Sequence, residues 1–297
     1  MKILVTGATG FIGHHVVQWL VDHGYTVIAT GTSEEKARQF AWFSSVTFIP
    51  CDYYSENRDY FEHFEKPDIL IHLAWKNVHS VMEISNIENT LFQELNFYKS
   101  FMNGDIKKIV GIGSCYEYGP INGCCYEDTP TNPVNPYAIA KDTLRRYLTL
   151  SLAEKNIPFN WIRIFFTYGD GQNEKSLISQ LDSAILRGDK EFPMSGGEQL
   201  RDYLPIEKIA EYIGKISMQK NILGVVNCCS GNTISVRRLV EERVLEKNAK
   251  ITLKYGVYPY HQYEGMAFWG DTKKLQNCIY NYDIGKRYNP SYHVKED

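Results

Sequence analysis

Lys2-Ile3-Leu4-Val5-Thr6-Gly7-Ala8-Thr9-Gly10-Phe11-Ile12-Gly13 opens the chain, and its reading decides the fold. Ile3-Leu4-Val5 is a short apolar run, the mark of a buried parallel strand. Glycines follow at 7, 10 and 13, and Ile12, Val16, Trp19 and Leu20 then recur at helical spacing. That is the pattern of a helix laid on a sheet. A strand running through a glycine turn into a helix makes a phosphate cradle. Gly7 permits the tight turn, Gly10 lets a pyrophosphate approach the backbone, and Gly13 lets helix and strand pack closely. The free N–H groups and dipole at the helix N-terminus favour the anion. The spacing is G-x-x-G-x-x-G rather than G-x-G-x-x-G, and the flanking strand and helix give it meaning.

Outward from this stretch, apolar runs alternate with helical patterns. Strands are expected at 24–30, 46–49, 68–74, 108–113 and 159–165, with another at 223–229. Helices are expected at 84–101, with Ile87, Leu91, Leu95 and Tyr98 on one face, and at 136–153. Ser33 is a suitable N-cap for a polar helix start, with Glu34 and Glu35 in its first turn. This order predicts an α/β fold with a doubly wound parallel sheet of Rossmann type, covered on both faces. Its ligand should sit at the carboxyl ends of the strands, where the loops after Gly7, Gly31, Asp52, Ala74 and Gly113 converge. From Gly169 the rhythm loosens. The expected division is a dinucleotide-binding part over 1–168, with a returning segment near 205–230, and a smaller, noncontiguous substrate lobe within 169–297. The polar stretch from Tyr288 is expected to be mobile.

With 297 residues, 43% of them apolar, the chain can bury a large core. A net charge of −3 gives no reason to expect nucleic acid or a membrane surface as partner. No apolar run approaches a membrane span, and no secretory leader precedes the first strand, so a cytoplasmic protein is expected. Seven cysteines without a C-x-x-C read as reduced thiols, and the scattered histidines support no metal site. The 21 tyrosines either line a polar, ring-binding cleft or simply pack.

Two further stretches carry chemistry. Gly113-Ser114-Cys115-Tyr116-Glu117-Tyr118-Gly119 ends the fifth strand, and Asn135-Pro136-Tyr137-Ala138-Ile139-Ala140-Lys141 opens the long helix. Tyr137 and Lys141 lie one turn apart on one helix face. An ammonium beside a phenol favours the phenolate and lowers its pKa from near 10. With a serine hydroxyl bound to the same substrate oxygen, these groups make a proton-transfer device.

These motifs, with Asp52, His72-Leu73-Ala74, Arg163, Tyr168-Gly169 and Arg201-Asp202-Tyr203-Leu204, resemble the extended short-chain dehydrogenase/reductase family. The branch is that of nucleotide-sugar epimerases, dehydratases and ketoreductases, and the resemblance covers nearly the whole chain. It implies Ser114, Tyr137 and Lys141 as the catalytic set. It implies dinucleotide contacts at Gly7, Gly10, Phe11, Ile12, Gly13, Thr32, Ser33, Asp52, Tyr53, Leu73 and Ala74, joined by Tyr137 and Lys141. Substrate contacts are implied at Cys115, Tyr116, Phe166, Lys175 and Arg201, with the arginine fork on the diphosphate. A homodimer through the 84–101 and 136–153 helices is also implied.

Departures from the family pattern narrow the reaction. NAD-preferring relatives end the second strand with an acid, where this chain has Gly31 followed by Thr32 and Ser33, with Lys36 and Arg38 beyond. This tilts the expectation to NADP(H), with NAD(H) possible. Sugar dehydratases place Asp and Glu where Cys115 and Tyr116 stand, and Glu117 is one position late on a strand end. Phe166-Thr167 stands where relatives often carry a substrate-touching asparagine. The expected function is an NADP(H)-dependent reductase of a nucleotide-linked 4-keto-6-deoxy sugar, dTDP- or CDP-linked. The alternatives are an NAD-dependent nucleotide-sugar 4-epimerase and a non-catalytic dinucleotide sensor.

Overall fold

Seven strands form one parallel sheet: β1 (Lys2–Thr6), β2 (Thr26–Ala29), β3 (Thr47–Phe48), β4 (Ile69–His72), β5 (Lys108–Ser114), β6 (Phe159–Ile164) and β7 (Gly224–Cys228). Their order across the sheet is β7-β6-β5-β4-β1-β2-β3, so the chain reverses direction beside β1. The computed structural model describes residues 1–55, 58–76, 78, 80–260 and 263–287. The expected mobility from Tyr288 onward lies outside these residues.

The central strands are apolar on both faces because both faces are covered. Ile3, Val5, Val27, Ile71, Val110, Ile162 and Val226 point into one core with helices α1 (Phe11–Asp22), α5 (Ile206–Met218) and α7 (Lys273–Arg287). Leu4, Ile28, Leu70, Ile109 and Trp161 alternate into the other, with α2 (Leu91–Met102) and α3 (Pro136–Glu154). Helices α4 (Leu177–Arg187) and α6 (Val236–Glu246) enclose a smaller core around Leu181, Phe192 and Val240. The sequence reading placed no helix after 169, yet four occur there among the described residues. The C-terminal helix α7 joins the main sheet rather than the smaller layer, because Leu275, Cys278 and Tyr282 recur at helical spacing and fit the first core.

Two local expectations need correction. Where the alternation of apolar runs and helical patterns predicts full crossover helices, the α-helices beside β3 are single turns, at Glu34–Ala37 and Tyr60–His63. Helix 84–101 starts as a π-helical turn, Asn86–Thr90, before α2. The wider turn shifts the helix register, so its buried face holds Leu91, Glu94, Phe97, Tyr98 and Phe101, while Leu95 is only partly buried. All seven cysteines are free thiols. No helix of the described residues is long and apolar enough to cross a membrane.

Candidate active site

Gly7 adopts φ +64°, and a Cβ there would press on the backbone of Ala74. A Cβ at Gly13 would overlap the Gly7 carbonyl. Gly10 is the N-cap of α1 and brings no side-chain cap, so the first-turn N–H groups stay open to a ligand. Beside this turn lies a cleft of about 370 Å³. Of the expected dinucleotide contacts, Gly7, Gly10, Phe11, Ile12, Gly13, Thr32, Asp52, Tyr53, Leu73 and Ala74 line it. Ser33 does not, because its Oγ is taken by the Lys36 N–H at 3.1 Å as a helix cap. Tyr137 and Lys141 do not line it either, because both are buried behind Trp75, which does. Thr30 adds a buried hydroxyl without a partner to the wall. A glycine cradle, open helix N–H groups and an orphaned hydroxyl fit a dinucleotide.

Gly31 lines the cleft with no carboxylate, and Lys36 lines it as well. Arg38, which the sequence reading counted toward NADP(H), is engaged elsewhere. It pairs with Glu34 and lies over the Phe43 ring at 4.8 Å.

Tyr137 and Lys141 are both buried on α3, whose start is fixed by Pro136 and by Asn135, whose Oδ1 accepts the Ala138 N–H. Lys141 Nζ donates to the Ile112 carbonyl at 2.8 Å and stands 3.8 Å from the centre of the Trp75 ring. Trp75 lines the dinucleotide cleft and meets the Tyr137 ring edge-on at 5.7 Å. Ser114 ends β5, and its Oγ accepts the Tyr116 N–H at 3.2 Å. The expectation that Lys141 lowers the Tyr137 pKa is not met. Burial, then Glu117, Cys115 and Glu94, push the phenol up, so it stays protonated at neutral pH. Burial brings Lys141 itself down to about 8.

A second cleft, of about 810 Å³, has Tyr116, the residue whose N–H reaches Ser114 Oγ, in its wall. Of the residues named for substrate contact, Tyr116, Phe166, Lys175 and Arg201 line it, along with Tyr203, Tyr258, Tyr260 and Tyr263. Cys115 does not, because it turns inward to pack against Tyr118, Cys125 and Phe268. Arg201 is buried between rings, 5.4 Å from Phe166 and 5.0 Å from Phe268, and donates to Glu264 at 2.7 Å. Asp202 anchors that segment by accepting from the N–H groups of Ser230 and Gly231.

Two buried carboxylates were missed as site residues. Glu117 lies in the 3-10 turn Cys115–Tyr118, not on a strand, and so points inward. It accepts from Ser114 N, Trp161 Nε1 and Arg163 Nε. Glu94 was overlooked as one polar position within an apolar helix face. The residues that could have betrayed it, His72, Tyr53 and Tyr54, are distant in sequence.

A doubly wound sheet with a glycine-turn cleft, a buried Tyr–Lys pair against the Trp75 wall of that cleft and a serine at the end of the fifth strand are the build of an extended short-chain dehydrogenase/reductase. The chain belongs to the NAD dependent epimerase/dehydratase family, whose profile matches residues 3–229. A dTDP-6-deoxy-L-talose 4-dehydrogenase (NAD(+)) of Aggregatibacter actinomycetemcomitans is 32% identical over 271 residues, 91% of this chain and 99% of that protein. A UDP-glucose 4-epimerase of Halalkalibacterium halodurans is 27% identical over 266 residues, covering 81% and 79%. The fold matches UDP-glucuronic acid 4-epimerase from Bacillus cereus, solved with UDP-glucuronic acid and NAD. The TM-score is 0.81 at 21% identity, over 97% of this chain and all of that one.

Proposed function

We propose that the protein is a nicotinamide-dinucleotide-dependent 4-oxidoreductase of a nucleotide-linked 6-deoxyhexose, with a dTDP-linked 4-keto sugar as the substrate it reduces. The observation that carries this reading is the contact of Tyr137 and Lys141 with Trp75, in the wall of the cleft suited to a dinucleotide, together with Ser114, whose Oγ accepts the N–H of Tyr116 in the wall of the cleft lined by rings and Arg201. The 32% identical relative, named as a 4-dehydrogenase of such a sugar, supports the substrate class. Residues 1–168 with the stretch near 205–230 hold the dinucleotide in this reading, and the rest of 169–297 holds the sugar nucleotide.

The bound dinucleotide would supply or accept the hydride. Tyr137 holds the proton that passes to the C4 oxygen as the ketone becomes an alcohol. Ser114 donates a hydrogen bond to that oxygen, and Lys141 offers its charge to the ribose beside Trp75. A phenol kept protonated by burial suits reduction, because the proton is in place when the alkoxide forms. Oxidation needs the phenolate, so its pH optimum should lie above that of reduction. The expected cofactor is NAD(H), as in the relative's name. NADP(H), favoured by the missing acid at Gly31, keeps only Lys36 in support once Arg38 is paired.

The test is to follow NADH and NADPH oxidation with dTDP- and CDP-linked 4-keto-6-deoxyhexoses, with NMR of the product. One dinucleotide oxidised per ketone, giving a C4 alcohol, is expected. The names of the epimerase relatives favour one other reading. A tightly retained dinucleotide, two interconverting sugars and no net oxidation would establish it and overturn the reductase.

We also propose that the chain pairs with a second copy through the 84–101 and 136–153 helices. Ile84, Phe92 and Leu150 leave large apolar side chains exposed there. Light scattering should give a dimer, and Phe92→Glu with Leu150→Glu a monomer. A monomeric wild type would refute the pairing.

A further inference from the structure

Behind the dinucleotide cleft runs a chain of buried polar groups that the proton-transfer set does not use. Glu94, on α2, is fully buried. Its Oε1 accepts the Tyr53 hydroxyl at 2.9 Å and the Tyr54 hydroxyl at 2.7 Å, and its Oε2 lies 2.7 Å from His72 Nε2. The direction of the chain follows from Thr6. Its Oγ1 accepts the N–H groups of Leu73 and Ala74 at 3.2 and 3.3 Å, so its own hydrogen goes to His72 Nδ1 at 2.9 Å. That leaves His72 Nε2–H to donate to Glu94. At the other end, the Tyr54 hydroxyl accepts the Lys76 N–H at 2.7 Å.

This chain ties β1, β4 and the loop after β3 to one helix, and it ends in cleft wall. Thr6, Tyr53, Tyr54, Leu73, Ala74 and Trp75 all line the cleft. Burying a lone carboxylate is costly, and the same face of α2 otherwise carries Leu91, Phe97 and Phe101. An apolar side chain would fill the space without that cost, so the carboxylate calls for a role beyond packing.

We propose that Glu94 is a positioning residue for the reacting end of the dinucleotide site, fixing the Tyr54–Trp75 wall and setting a buried negative charge towards the Lys141 ammonium. The proposal rests on the role given to Lys141 above. Lys141 is faced by the Ile112 carbonyl at 2.8 Å, by the Trp75 ring at 3.8 Å, and by the Tyr137 and Trp161 rings at 5.9 Å. Burial works against its charge. Of the two carboxylates that oppose this, Glu94 acts more strongly than Glu117. Glu94 in turn is faced by His72, Lys141, Tyr53, Tyr54, Tyr98 and Tyr137. Without the charge at 94, Lys141 gives up its proton at lower pH.

The test needs no sugar. Affinity for NADH or NADPH, whichever binds more tightly, is titrated by fluorescence across neutral and alkaline pH, alongside thermal melts. Wild-type affinity should fall as pH rises through about 8. In Glu94→Gln the fall should come about one pH unit earlier. Tyr54→Phe should weaken binding roughly three- to tenfold and leave the midpoint in place. A merely structural Glu94 would lower the melting temperature and leave the midpoint unmoved, which would overturn the proposal. Wild-type affinity in Tyr54→Phe would overturn it as well, and would decide the matter if Glu94→Gln does not fold. In Lys141→Met the fall should vanish. If it persists, the role of Lys141 fails; if it vanishes there but is unmoved in Glu94→Gln, only the role of Glu94 fails.

Discussion

Tyr137→Phe is expected to cut turnover about 10²–10⁴-fold while dinucleotide binding stays close to wild type. The substitution removes only the phenolic oxygen. The ring keeps its edge-on contact with Trp75, and the backbone N–H still donates to the Val81 carbonyl at 3.1 Å. What disappears is the proton that the proposed reduction draws on for the C4 oxygen. Ser114 can steady that oxygen but is itself a poor acid. Lys141 is turned to the Ile112 carbonyl and the Trp75 face. Single-turnover rates with NADH and a 4-keto sugar, set beside a fluorescence titration of NADH, measure the two effects separately. Turnover near wild type would move the proton-transfer role to another group.

That experiment rests on motifs legible in the sequence because their chemistry is local. The glycine turn, the strand ends and the four-residue spacing of Tyr137 and Lys141 each lie within one turn or helix. All seven sheet strands fall on runs read from the sequence, the central ones on runs such as Ile69-Leu70-Ile71, buried on both faces and so apolar throughout. The charge state of the site is not local. Tyr137 and Lys141 look like a phenol and its ammonium at helical spacing, but tertiary burial sets both pKa values against that simple pairing. Helices α4 and α5 have regular apolar spacing, at Ile206, Ile209, Ala210 and Ile213 for instance, and were lost among the glycines and tyrosines of that half. Cys115 and Glu117 both turn into the protein because the chain leaves β5 in a tight 3-10 turn, whose period is three residues rather than two. Glu94 depends on partners from three separate segments, and no pattern within α2 announces them.

Glu117→Leu is expected to destabilise the fold by about 3–5 kcal/mol, the cost of leaving a buried charge without its partner. Arg163 is 1% exposed, and its Nε donates to Glu117 Oε2 at 2.8 Å, so leucine strands a guanidinium in the core. The Trp161 Nε1–H and the Ser114 N–H lose their acceptor at the same time. Glu117→Gln keeps an acceptor oxygen for one or both of these but removes the charge facing Arg163, so its loss should be smaller, about 1–3 kcal/mol. Urea unfolding of the two variants measures the order, and equal stability of leucine and wild type would refute the ion pair as a support. The effect should also reach turnover in the protein that stays folded. The side chains of Ser114 and Glu117 each accept the other's nearby backbone N–H, which is what holds the serine at the end of β5. Gly113 belongs to the same arrangement, because a Cβ there would collide with Glu117 and Trp161. The carboxylate that a strand-based reading set aside as one position too late thus sets both the stability of the strand end and the aim of the hydroxyl on it. Loss of kcat in folded Glu117→Gln, with dinucleotide affinity retained, is the outcome that separates positioning from stability.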